Sequence, residues 1–134
     1  MAAVPRGVIR NREYGTQVRD FSGLRFGKIT PTDIDGLIEY QNKGYVFIET
    51  KYKDAKLPRG QELALERLCD DLQNTKPTLL IIASHETEGD IDVAETIVAR
   101  YRFKGEWSRC RGTTGRLVAA FIGHLDKLWN REDN

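Results

Sequence analysis

Two runs in the first half of the chain, Gly36-Leu-Ile-Glu-Tyr40 and Tyr45-Val-Phe-Ile-Glu49, are rich in β-branched and aromatic residues. Gln41-Asn-Lys-Gly44 between them has the composition of a turn, so the pattern predicts an antiparallel hairpin whose side chains alternate between two faces. A different period follows the polar connection at residues 53–58. Over residues 60–72, Leu65, Leu68, Cys69 and Leu72 recur at helical spacing, and Asn74 and Pro77 end the predicted helix. Thr78-Leu-Leu-Ile-Ile-Ala83 is then an unbroken apolar run, the mark of a strand covered on both faces. Strand, helix, strand in that order predicts a parallel pairing near the sheet centre.

The second half repeats the alternation less cleanly. Residues 86–92 are acidic and read as a loop, without the ligand pattern of an EF-hand. Ile97, Ala99, Tyr101 and Phe103 alternate with Val98, Arg100, Arg102 and Lys104, which predicts an outer strand with one apolar and one cationic, solvent-facing side. Residues 105–115 read as a turn and a short irregular or strand segment around a packed Trp107. Leu117, Val118, Phe121, Ile122, Leu125, Leu128 and Trp129 form the apolar stripe of a closing helix. The elements add up to an α/β fold, expected as one domain over residues 1–134.

Composition excludes several classes. With 40% hydrophobic and 31% charged residues the chain is an ordinary globular one. No apolar run approaches the ~20 residues that span a bilayer, and the first residues carry no secretory core, so a cytoplasmic protein is expected. Cys69 and Cys110 are too few for a disulfide framework, and with His85 and His124 they make no zinc spacing.

The net charge of +1 conceals a pattern. Residues 1–28 hold six basic against two acidic residues, and residues 100–116 hold six against one, leaving the centre acidic. Two basic segments around an acidic middle suit phosphate contacts on either side of a reacting bond; solvated faces of a strand and a terminal loop are the alternative. Tyr101 and Trp107 in basic surroundings could stack on bases, although both have apolar neighbours and read first as packing residues.

The acidic middle carries the candidate chemistry. Pro31-Thr-Asp-Ile-Asp35-Gly36 opens the hairpin and Ile48-Glu-Thr-Lys51 closes it. Period-two alternation puts Glu49 and Lys51 on one face, and Asp35 at the start of the partner strand can lie beside them. Mg²⁺ is commonly held by one or two carboxylates with substrate phosphate oxygens completing its shell, so Asp35 and Glu49 are the candidate ligands. Lys51 could offset negative charge nearby. The same residues also fit an Asx-turn at Asp33 and Asp35 with Glu49 and Lys51 on a wet face.

Asp35-Gly-Leu followed by an apolar strand ending in Glu49-Thr-Lys51 resembles the PD-(D/E)XK nuclease superfamily, over roughly residues 29–83. The resemblance implies a restriction-endonuclease-like mixed central sheet flanked by helices, in a small member of phage or prophage type. It implies that Asp35 and Glu49 bind Mg²⁺ or Mn²⁺, that Lys51 is the catalytic lysine, and that Gln61 joins them from the following helix. Asp33 competes with Asp35 for the first acid, because Pro31 stands two residues before it. Glu13 is the candidate for an N-terminal glutamate, and His85 lies at a strand end that could approach the metal. The activity implied is hydrolysis of phosphodiester bonds in DNA, in recombination, repair or genome processing, often by homodimers. No residue tests the 2′-hydroxyl, so RNA stays open as a substrate. Two other readings compete: a binding or assembly subunit of the same fold without turnover, and a hydrolase of small phosphate esters, which the lack of a GxxxxGK[ST] loop disfavours.

Overall fold

The computed structural model describes residues 20–132, and its contacts divide the chain between Thr32 and Asp33. Within residues 20–32 there is one turn of 3-10 helix at Ser22–Leu24 and a bridge between Phe26 and Ile29. The bridge closes a tight turn through Gly27, whose φ of 62° is one that residues with a side chain rarely adopt.

From Asp33 onward the chain builds one five-stranded sheet and two helices. The strands are β1 (Gly36–Tyr40), β2 (Gly44–Tyr52), β3 (Thr78–His85), β4 (Ile97–Phe103) and β5 (Glu106–Ser108), adjacent in that order. α1 (Arg59–Gln73) joins β2 to β3, and α2 (Thr114–Glu132) is the last described element. β2 and β3 are parallel, as expected of strands joined through a helix, and the other neighbouring pairs are antiparallel. The fold is therefore α/β with a mixed sheet. Among the described residues no helix is long and apolar enough to cross a membrane.

Strand alternation divides the core into two layers. Val46, Ile48, Leu79, Ile81, Ala83 and Val98 meet Phe121 and Leu125 of α2 on one face. Phe47, Leu80 and Ile82 meet Leu57 and, from α1, Leu65 and Cys69 on the other. β3 is apolar at every position from Leu79 to Ala83 because both layers bury it. In α1 the stripe runs through Leu65, Cys69 and Leu72, while Leu68 lies on its flank and is 39% exposed.

The hairpin turn places both Gln41 (φ 46°) and Asn42 (φ 60°) in the left-handed region, as a type I′ turn requires, and Lys43 N–H donates to the Tyr40 carbonyl at 2.7 Å. Gly44 then enters β2 under α2. A Cβ there would lie 2.7 Å from the Pro77 carbonyl oxygen and 2.8 Å from Leu125 Cδ1, so no larger residue fits.

β4 departs from the sequence expectation in two ways. A bulge against β3 leaves Ala99 as an extra residue, since Ile82 pairs with Arg100 and Ala83 with Val98. The bulge reverses the alternation, so Val98 joins Tyr101 and Phe103 in the α2 layer while Ile97 is 52% exposed. Nor is β4 outermost, because β5 pairs with it. Its cationic side faces α1 rather than water. Arg102 makes a two-pronged bond to Asp70 at 2.9 and 2.7 Å, Arg100 bonds Glu62 at 3.0 Å, and Trp107 Nε1 donates to Glu66 at 2.9 Å. Arg100 also stacks over the Trp107 ring, 4.1 Å from its centre.

Candidate functional site

Register decides where the acids meet. Gly36 pairs with Ile48, so one step back places Asp35 opposite Glu49, on the face that also carries Phe47. α1 covers this face over β2 and β3 but leaves β1 open: Leu37 on the same side is 56% exposed. The pair is therefore asymmetric. Glu49 is 1% exposed beneath the start of α1, and Asp35 is exposed at the sheet edge.

Each carboxylate is held by the other's strand. Asp35 N–H donates to Glu49 Oε1 at 3.1 Å, and Gln61 Nε2 from the first turn of α1 donates to Oε2 at 3.1 Å. In the other direction Thr50 donates to Asp35 Oδ2 through both its backbone N–H, at 2.9 Å, and its hydroxyl, at 3.2 Å. Asp35 thus occupies a ladder position that β1 no longer reaches, and its bond spans fifteen residues instead of closing a local Asx-turn. The reading of Glu49 as a wet-face residue does not hold.

Burial pushes the Glu49 carboxyl up to about 7 from its ordinary 4.5. The Asp35 N–H works against that shift, the negative charge of Asp35 adds to it, Lys51 opposes it and Asp33 adds a further rise. A buried carboxyl poised near neutrality beside a second acid and an ammonium is the kind of group that functional sites arrange. Lys51 lies two residues along β2 on the same face, opposite Ser84 of β3. Its ammonium has no hydrogen bond or ion pair among the described residues.

Of the residues singled out in the sequence, Asp35, Glu49 and Gln61 are joined by hydrogen bonds, and Lys51 shares their face. Asp33 precedes the hairpin and reaches Glu49 only through its charge. His85 is on the opposite face of the sheet: it pairs with Tyr52, and the two rings lie 5.6 Å apart. Its Nδ1 is buried without a hydrogen-bond partner among the described residues. Glu13 lies outside the described residues.

Sequence reading overlooked the cleft beside this site. About 530 Å³ in volume, it is lined by Lys51, Lys53, Lys56, Glu62, Ser84 and Arg100 among others. Its signal was legible as three lysines within six residues directly after Glu49. Thr50, which fixes Asp35, was also missed.

The donor set is hard oxygen. Two carboxylates match the sparse protein contribution that Mg²⁺ accepts when substrate oxygens and water complete its shell. Among the described residues no three or more His, Cys, Asp or Glu side chains gather into a fuller metal cage. Compared with models of protein families, with curated proteins and with solved structures, the chain has no significant match.

Proposed function

We propose that the chain is a divalent-metal-dependent nuclease acting on DNA, with a restriction-endonuclease-like core in which Asp35 and Glu49 hold Mg²⁺ or Mn²⁺. The observation that carries this reading is the pairing of a solvent-facing aspartate with a buried, hydrogen-bonded glutamate across two antiparallel strands, with Lys51 on the same face and unpaired among the described residues. A purely structural carboxylate has no need of a neighbouring acid that raises the free energy of its ionised form.

The residues divide the work. Gln61 and the Asp35 amide fix the Glu49 carboxylate, and Thr50 fixes that of Asp35, so both acids are oriented before any ion arrives. When bound, the ion would offset charge on a phosphoryl oxygen and acidify a water. Lys51 supplies a positive charge beside the same place, where negative charge develops during phosphodiester hydrolysis. Access is from the Asp35 side, which α1 leaves uncovered.

The test is cleavage of labelled linear and branched DNA by the purified protein, with Mg²⁺ or Mn²⁺ and with EDTA. Metal-dependent cutting is expected, with Asp35→Asn, Glu49→Gln and Lys51→Ala each lowering the rate by about a hundredfold or more while the fold persists. Undiminished cutting by Glu49→Gln would refute the assignment.

A non-catalytic nucleic-acid-binding or assembly subunit is the second reading. One observation favours it: both Glu49 oxygens already accept hydrogen bonds. Calorimetric titration with Mn²⁺ separates the two, because only the nuclease reading requires a site lost with Glu49→Gln.

A further inference from the structure

We propose that the cleft beside Lys51 anchors a phosphate of a polynucleotide strand, with Lys56 and Lys53 as its contacts. The ligand's identity rests on the nuclease reading; the cleft itself does not. Four cations, Lys51, Lys53, Lys56 and Arg100, line it against two acids, Asp54 and Glu62. Glu62 is already committed, 3.0 Å from Arg100 and 3.5 Å from Arg59, so three lysines face one remaining acid, Asp54, and the cleft stays net positive. Lys56 has no ion pair or hydrogen bond among the described residues, and the Lys53 ammonium rests only against the Tyr52 ring, 5.2 Å from its centre.

The walls are built. Lys53 adopts a left-handed φ of 51°, its N–H donates to the His85 carbonyl at 2.8 Å, and Ala55 N–H donates to the Tyr52 carbonyl at 3.1 Å. That turn ties the Lys53 backbone to the end of β3, where Ser84 also lines the cleft. On the far side Arg100 is fixed by Glu62 and Trp107. A lysine ammonium is a compact charge with three donors on a flexible stem, so it can meet a phosphate group without the fixed geometry that a guanidinium imposes. Lys51 lines this cleft and also shares the face of Glu49, so a strand held here runs past the acidic pair.

The experiment measures binding without chemistry: anisotropy of a fluorescein-labelled oligodeoxythymidylate with the full chain in EDTA, over a range of salt. Lys53→Gln/Lys56→Gln is expected to bind about tenfold more weakly, with the slope of log K against log salt shallower by about 0.7, one single-strand phosphate contact's worth. Lys53→Arg/Lys56→Arg should restore both, and Lys127→Ala, on exposed α2 surface, should change neither. Unchanged affinity and slope in the Gln variant, no binding by the parent protein, or equal binding of polyglutamate overturns the inference. Because EDTA removes the metal, the cleft is tested apart from cleavage: lost cutting with a retained lysine effect counts against the nuclease reading alone. Retained cutting without a lysine effect counts against the cleft alone.

Discussion

The backbone N–H of Asp35 donates to Oε1 of Glu49 at 3.1 Å, so the first residue of the acidic pair stabilises the second through its amide while opposing it through its charge. Burial, with that opposition added, outweighs the amide, and the Glu49 carboxyl is pushed up to about 7 from 4.5.

That shift has a sign for stability. Between pH 4.5 and about 7 the folded protein holds a proton on Glu49 that the unfolded chain has released, so stability falls as pH rises through this window. The loss attributable to Glu49 is on the order of 3 kcal/mol once pH exceeds 7. Glu49→Gln keeps an acceptor for the Asp35 amide, and its own amide can donate to a rotated Gln61. We expect the variant to lack this fall and to be more stable than the parent at pH 8. Urea unfolding at pH 5 and pH 8 checks it; equal pH dependence in the two proteins rules out the buried, protonated glutamate.

Gln61 is the only α1 side chain seen bonding to Glu49 among the described residues. Gln61→Ala should leave Oε2 without its donor, cost about 1 to 2 kcal/mol above pH 7, and move the Glu49 titration upward. The window of falling stability then extends past pH 7 in the variant. An NMR titration of the Glu49 side-chain carboxyl carbon reads the shift directly, and an unmoved midpoint would contradict the bond.

Much of this architecture was legible in the chain. The period-two runs around Gln41-Asn-Lys-Gly44 specify the hairpin, and the unbroken Leu79–Ala83 run marks a central strand because only a twice-covered strand tolerates it. Alternation also put Glu49 and Lys51 on one face. The burial of Glu49 was not legible, since it depends on where α1 crosses, a tertiary fact that spacing along β2 does not carry. The cationic side of β4 was misread for the same reason. Arg100 and Arg102 looked solvent-facing until Glu62, Glu66 and Asp70, spaced by four along α1, proved to lie over them and over Trp107. The Ala99 bulge has no glycine or proline to announce it, and it moved Ile97 and Val98 to the sides opposite those that alternation assigns.

The same tertiary logic makes Gly44 irreplaceable. A methyl group there must displace the Pro77 carbonyl, which is backbone, or Leu125, which is fully buried in the α2 layer. We expect Gly44→Ala to destabilise by about 2 to 3 kcal/mol without altering the acidic pair at the far end of β2. A denaturation midpoint that stays at the parent value would mean that α2 is not seated on the hairpin.

If the proposed site holds a metal, its binding should report the proton on Glu49. A carboxyl that is protonated below about pH 7 must release its proton before it can ligate, so an ion competes with hydrogen ions at this position. We expect the affinity for Mn²⁺ to rise about tenfold per pH unit up to roughly 7 and to level off above it, with close to one proton released per ion at pH 6 and almost none at pH 8. At the proposed site Asp35 would contribute the solvent-facing oxygen, so Asp35→Asn is expected to weaken binding at every pH, and Glu49→Gln to remove the pH dependence along with most of the affinity. Calorimetry at pH 6 in two buffers of different ionisation enthalpy counts the released protons. A proton count near zero there, with binding intact, would show that the ion is held without Glu49 and would separate the buried glutamate from any metal chemistry of this protein.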